Sequence, residues 1–336
     1  MKSFHRQVDD VKERAKKNIR LVLFLLSLMS PQAGMTQTVY HIGALVSGDQ
    51  FVPAIEGFKK RMTELGYTEG KNVKYEIYNA KDNLEAIKRY AQKMVQEKPD
   101  LIVTSSTTAT APVVKATEGS NLCVVFLSAG NPLTFVKSYA SSGNNVTGIS
   151  TAYIDLTGKR LELLKQLVPG IKKVISFHNP DGGSYHESLR VTRDWAKKLR
   201  LNLVEVNVTS SVELVQWVRE RLSRKLGDGI VYQPDAVILS TIPKVIPNFI
   251  KAKIPLITAN TARVKEGALA AYGADYFALG EQGAMLVDKI RKGARPADLP
   301  IEQPSKLHLV INLKTARAIG LKIPKDILSL ADEIIE

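Results

Sequence analysis

From Val39 onward the chain alternates short Val/Ile-rich runs with amphipathic stretches, and it does so twice in the same order. The first pass reads strand VYHIGALV, a helix from Pro53 to Leu65, strand NVKYEIY, a helix from Leu84 to Gln96, strand DLIVTS, a helix, and strand CVVFLSAG. The second reads KKVISFH, a helix from Ser188 to Leu199, NLVEVNV, a helix from Val212 to Leu226, DAVILST, a helix containing VIPNFIKA, and IPLITAN. Strands of period two alternating with helices of period 3.6 are the pattern of parallel βαβ units. Matched strands lie about 130 residues apart, too long a period for a solenoid of short repeats, so the expectation is α/β with two like-built, doubly wound lobes. At 336 residues and 44% hydrophobic, the chain can fill two cores.

That architecture says where to look for a site. In open parallel sheets, ligands sit outside the carboxyl ends of the strands, where loops lead into helices. Here those ends are Ser47-Gly48, Thr104 to Thr108, Ser128 to Asn131, His178 to Gly183, Ser240-Thr241, Thr258 to Asn260 and Tyr272 to Tyr276, nearly all small, hydroxyl or amide residues. The run of five consecutive hydroxyls, TSSTT from Thr104 to Thr108, stands at the start of a helix. A helix N-terminus exposes unpaired N–H groups and a positive dipole end, and hydroxyls beside it suit a carboxylate. One Ser or Thr suffices for a cap; five point to a ligand.

Other classes find little support. The net charge of +14 includes +4 from residues 1–35, where seven Lys/Arg face Asp9, Asp10 and Glu13. The rest of the surplus is scattered along helices such as DWAKKLR, as on solvated faces rather than a nucleic-acid stripe. The single cysteine, Cys123 in LCVVFL, permits neither an intrachain disulfide nor a zinc site and reads as a small core residue. The loop NPDGGSYHESLR follows His178 and carries Asp181 and His186, but no further His or Cys stands at metal-ligand spacing. No G-x-S-x-G, P-loop or Cys/His pair is present, and GALVSG is too sparse for a dinucleotide fingerprint, so no catalytic function and no cofactor are expected. Residues 1–35 read as a secretory signal peptide: a basic flank, an apolar run from Leu21 to Met29, then Pro31 and small residues. The run is short of the ~20 residues that span a bilayer. The expectation is a periplasmic protein.

LGYTEGKNVKYE, GNNVTGIS, GKRLELLKQLVPGIKKV and above all the C-terminal block from KGARPADLP to LADEIIE resemble the substrate-binding proteins of ABC transporters that include tryptophan and phenylalanine binders. The resemblance runs from about Val39 to Glu336. It implies a type I periplasmic binding fold: two Rossmann-like lobes joined by three crossings and closing like a clam shell. Lobe 1 would be 38–148 plus 277–308, and lobe 2 149–276 plus 309–336. The implied function is the substrate-binding component of an ABC importer. It would act as a monomer, capture a small molecule such as an apolar or aromatic amino acid, and deliver it to an inner-membrane permease. The alternative is a sensor that docks on a membrane receptor. By the same resemblance TSSTT and SAGNP would hold a ligand carboxylate through Ser105, Ser106, Thr107, Ser128 and Asn131, and Asp275 of AYGADY would meet its ammonium. Phe51, Tyr272 and Tyr276 would form an apolar wall, and Ser47, His178, Ser240 and Asn260 complete the expected site.

Overall fold

The computed structural model describes residues 39–336, so the expected signal peptide lies outside the described residues. The first sheet contains β1 (Tyr40–Val46), β2 (Val73–Asn79), β3 (Leu101–Ser105), β4 (Cys123–Ala129) and β5 (Val146–Ser150), all parallel, in the order β2-β1-β3-β4-β5. Helices α1 (Val52–Glu64), α2 (Leu84–Gln96) and α3 (Thr107–Ala116) cover it. A parallel sheet is buried on both faces at its centre, which is why β1, β3 and β4 are near-continuous apolar runs while the edge strand β2 carries Lys74 and Glu76 and is half exposed. Along β1, Ile42, Ala44 and Val46 join Phe58 and Met62 of α1, whereas Leu45 faces the other way, toward Ile87 and Met94 of α2.

The second half follows the same plan with α4 (Thr157–Leu167), β6 (Lys173–His178), α5 (Tyr185–Lys198), β7 (Asn202–Asn207), α6 (Ser211–Arg221), β8 (Gly229–Tyr232), α7 (Ala236–Lys251), β9 (Ile257–Thr258), α8 (Ala262–Lys265) and β10 (Ala270–Ala274). The sheet β7-β6-β8 meets β9 through a bridge between Ile230 and Leu256. After α9 (Tyr276–Arg291) the chain supplies β11 (Leu307–Asn312), α10 (Leu313–Ala318), α11 (Lys325–Leu328) and β12 (Glu333–Ile335). Strand β11 pairs antiparallel with β10, the one departure from the expected parallel pattern among the described strands. It arises because the chain re-enters this sheet from the first one.

One expected strand is a helix. DAVILST opens α7, and the strand is the shorter GIVY of β8. Asp235 caps α7 by accepting from the N–H groups of Val237 and Ile238, and the buried residues Ile238, Ile242, Val245, Ile246 and Phe249 recur at helical spacing. A run dense in β-branched residues looks like a strand; tertiary packing and the cap decide otherwise.

The chain passes between the sheets three times: after β5, between β10 and α9, and between Glu302, which bridges to Ile149 beside β5, and β11. Helix α9 starts from a strand of the second sheet but packs on the first, where Leu279, Ala284, Leu286 and Val287 enter the same cluster as β1 and α1. Its contact with α1 is backbone against backbone. A Cβ on Gly280 would overlap the carbonyl oxygen of Ala54, and one on Gly57 that of Phe277. We expect Gly280→Ala to lower stability by about 1–3 kcal/mol, the usual cost of overpacking, in urea unfolding followed by circular dichroism. Gly283→Ala, whose methyl would meet only the movable end of Leu127, should cost less. Equal effects would mean that the helix contact is not what the glycines protect.

Candidate functional site

A cavity of about 190 Å³ lies between the two sheets, at the carboxyl ends of their strands. From the first sheet come Ser47, Gln50 and Phe51 after β1, Asp82 and Leu84 after β2, Ser106, Thr107 and Thr108 after β3, Ser128 and Gly130 at the end of β4, and Thr151 and Tyr153 after β5. The second sheet contributes Pro234, Val237, Leu239 and Ser240 after β8, Asn260 and Arg263 after β9, and Tyr276 after β10.

The backbone is most constrained at this place. Among the described residues, seven non-glycine residues have positive φ. Three of them, Lys98, Arg200 and Lys253, follow the C-caps of α2, α5 and α7, an ordinary helix-ending position. The other four are Lys81, Asp82, Ser106 and Ala152, and each lines the cavity or adjoins a residue that does. Ser106, at φ 92° and ψ 152°, occupies a region that only glycine enters freely.

The hydroxyl run at α3 serves mostly the protein itself. Thr104 Oγ1 lies 2.8 Å from Thr110 Oγ1, and Ser105 Oγ 2.8 Å from Ser128 Oγ, tying β3 to α3 and to β4. Ser106 Oγ accepts from the N–H of Ala109, capping α3. Thr107 Oγ1 accepts from the N–H groups of Gly130 and Asn131 at 3.0 and 3.2 Å, fixing the loop after β4. Four of the five hydroxyls therefore have partners within the protein; of the expected Ser105, Ser106 and Thr107, only Ser106 and Thr107 reach the cavity. What remains for an anion is the N–H groups of Thr107 and Thr108, at the first two helical positions, which have no acceptor within the helix.

Eight of the expected residues line the cavity: Ser47, Phe51, Ser106, Thr107, Ser128, Ser240, Asn260 and Tyr276. Ser240 does so from the second turn of α7 rather than from a strand end. Five do not. Ser105 is fully buried against Ser128, and Asn131 gives its N–H to Thr107. Tyr272 lies within β10 and packs on the core beneath α4, while Tyr276 supplies the wall, edge-on to Phe51 with ring centroids 5.2 Å apart. His178 ends β6, which β8 separates from β9, and it is fully buried.

Asp275 has another role: one carboxylate oxygen accepts from the N–H groups of Phe277 and Ala278 to cap α9, and the other lies 3.6 Å from His308 Nε2. The charges that do line the cavity are Asp82 and Arg263, neither of them expected. Arg263 is paired with Glu266. Asp82 accepts one hydrogen bond from Gln50 Nε2 at 3.1 Å and has no ion pair among the described residues. Neighbouring Lys81 is held by Asp49. The rule that found Ser47 also covers Asp82 and Pro234; the first was passed over at the end of β2, the second because its strand was misplaced.

Residues 40–335 match the family model of the ABC transporter substrate binding proteins. A tyrosine-binding protein of Clostridioides difficile (strain R20291) is 30% identical over 285 residues, 84% of this chain and 80% of that protein. Among solved structures, an ABC domain from Streptococcus pneumonia in complex with L-Trp superposes with a TM-score of 0.80 at 26% identity, covering 89% of this chain and 100% of that one. The ligand-free, open structure of a substrate binding protein with adhesive properties from Clostridium difficile gives 0.68 at 25% identity, covering 88% and 99%. The fold is the type I periplasmic binding fold of these proteins.

His178 makes a prediction of its own. Neither ring nitrogen has a hydrogen-bond partner, and burial pushes its pKa down to about 4, with Glu205 raising it and Arg193 lowering it by smaller amounts. An unfolded imidazole titrates near 6.5, so unfolding takes up a proton between these two values. Stability is then full above about pH 6.5 and declines as pH falls toward 4, by up to about 3 kcal/mol. The Leu variant lacks this titration, so the urea midpoint of His178→Leu relative to the parent's should rise as pH falls from 7 to 5.5 and 4.5. Parallel curves would show that His178 is already charged when folded.

Proposed function

The chain belongs to the ABC transporter substrate binding protein family, and from that premise we propose that it captures an amino acid with a bulky apolar or aromatic side chain and delivers it to an inner-membrane permease. Members of this family bind solutes and are not enzymes. The observation that carries the reading is the chemistry of the cavity: an uncompensated carboxylate at Asp82, free first-turn amides at Thr107 and Thr108 on the same sheet, and an apolar wall opposite. An ammonium satisfies Asp82, a carboxylate satisfies the amides and the helix dipole, and the side chain is left to face Tyr153, Pro234, Val237, Leu239 and Tyr276. Asp82 replaces Asp275 in this assignment because the cap and His308 already engage both oxygens of the latter. A volume of about 190 Å³ suits one small molecule, not an oligomer.

Two further observations support the transport cycle. At nearly equal identity and coverage, the chain superposes better on the L-Trp complex, 0.80, than on the open ligand-free structure, 0.68. The arrangement described is on this reading the closed one, with lobes 38–148 plus 277–308 and 149–276 plus 309–336 shut on the site. The basic flank and short apolar run of residues 1–35 support export to the periplasm.

A thermal-shift screen of the L-amino acids, followed by calorimetry, tests the proposal. We expect stabilisation by L-tryptophan, L-tyrosine or L-phenylalanine, worth about 4 kcal/mol at 1,000 times the dissociation constant, and a smaller radius of gyration with ligand in small-angle scattering. Silence toward every amino acid would overturn it. Asp82 is exposed, so Asp82→Asn should weaken binding by about 1.5–3 kcal/mol, the range of a hydrogen bond to a charged group. Asp275→Asn should leave binding near the parent's and cost about 1 kcal/mol of stability or less through the cap. The reverse ranking would return the ammonium to Asp275.

A further inference from the structure

Arg160 is 4% exposed, and no carboxylate pairs with it among the described residues. A guanidinium stays protonated in a protein, and burying a charge without a counter-ion is costly. The cost is offset here by backbone oxygens and a ring. Nη2 donates to the carbonyl of Tyr153 and, at 3.2 Å, to Thr157 Oγ1; Nη1 donates to the carbonyl of Tyr272 at 3.4 Å; and the guanidinium carbon lies 4.6 Å from the centre of the Tyr153 ring.

The two carbonyls are not arbitrary ones. Tyr153 lies in the segment that leaves the first sheet after β5, and Tyr272 lies just before the segment that returns from β10 to α9. These are two of the three connections between the sheets. Tyr153 and Tyr276, in those same segments, line the cavity. The phenol of Tyr153 donates to the carbonyl of Tyr232 at 3.3 Å, at the end of β8, so the ring is held at both ends.

We propose that Arg160 is a positioning residue for ligand capture: without touching the ligand, it fixes the Tyr153 ring as a cavity wall and locks two inter-sheet connections in the geometry of the closed cleft. The inference rests on the reading of the cavity as the ligand cleft. A planar fork that reaches two carbonyls while stacking on a ring is a task for arginine, which lysine, a single point charge on a flexible stem, does not perform.

The test uses Arg160→Lys, which keeps the charge and loses the fork, and Arg160→Met, which keeps the length and loses both. L-tryptophan and L-tyrosine serve as probes in calorimetry, with small-angle scattering of the free and loaded protein and thermal denaturation alongside. We expect Arg160→Lys to bind tenfold or more weakly, to contract less on loading, and in the ligand-free state to scatter with a larger radius of gyration than the parent. Tyr153→Leu should weaken the parent strongly but add little in the Arg160→Lys background. Lowered melting temperature with unchanged affinity, contraction and ligand-free radius would overturn the proposal and leave Arg160 a packing residue. If Arg160→Met fails to fold, Arg160→Lys alone decides. Should the parent bind neither probe, the amino-acid screen decides the ligand reading, and the ligand-free radius still decides for or against the clamp.

Discussion

Everything at the site depends on the rule that strands of a parallel sheet all end at one edge. Parallel pairing needs a helical crossover after each strand, so each strand delivers a loop and a helix start to that edge. Two such sheets facing each other at these edges bring together the segments after eight strands. The cavity is lined accordingly: loop residues and first-turn helix residues supply nearly all of it, from β1 to β5 on one side and from β8 to β10 on the other. Strands β6 and β7 lie on the far side of β8 from β9 and are left out, and His178, at a strand end like the others, is a core residue instead of a contact.

The same rule makes the connections between the sheets part of the site. Thr151, Tyr153 and Tyr276 stand in segments that cross from one sheet to the other, and all three line the cavity. A ligand in contact with them touches the hinge itself. Helix α9 gives the hinge a firm anchor, because its glycine contact with α1 allows no sliding without a backbone clash. The sheets are thereby free to change their mutual angle only through the connecting segments, a hinge motion of the ordinary kind.

The fold was largely legible because burial on both faces writes itself into a strand as an apolar run, and β1, β3, β4 and β6 could be read in this way, while β5 went unread. It failed at α7, where Val237, Ile238 and Leu239 resemble a strand until Asp235 is seen as a cap. Site legibility was uneven for a different reason. Strand ends are visible in sequence, but what a polar group does there is decided by its partners. The hydroxyls of Thr104 to Thr107 were the most conspicuous feature of the chain, and their partners proved to be Thr110, Ser128 and the amides of α3 and of the loop after β4. Arg160 left no sequence signal at all, since a basic residue on a helix is ordinarily solvated.

The contrast between Asp82 and Asp275 shows what such a signal consists of. Both follow a strand and precede a helix, and both are candidates for an ammonium. Asp275 stands immediately before α9 and is its N-cap, so the first-turn N–H groups saturate one oxygen. Asp235 does the same for α7. Asp82 stands one residue earlier relative to α2, because Asn83 is the cap and accepts from Ala86. That single extra residue, accommodated by the left-handed backbone of Lys81 and Asp82, leaves the carboxylate free of the helix. An acid at the cap position is consumed by its own helix; an acid displaced from it by an Asn is available to something else. In YNAKDN the order Asp-Asn, not the presence of an acid, is what leaves the carboxylate outside the cap.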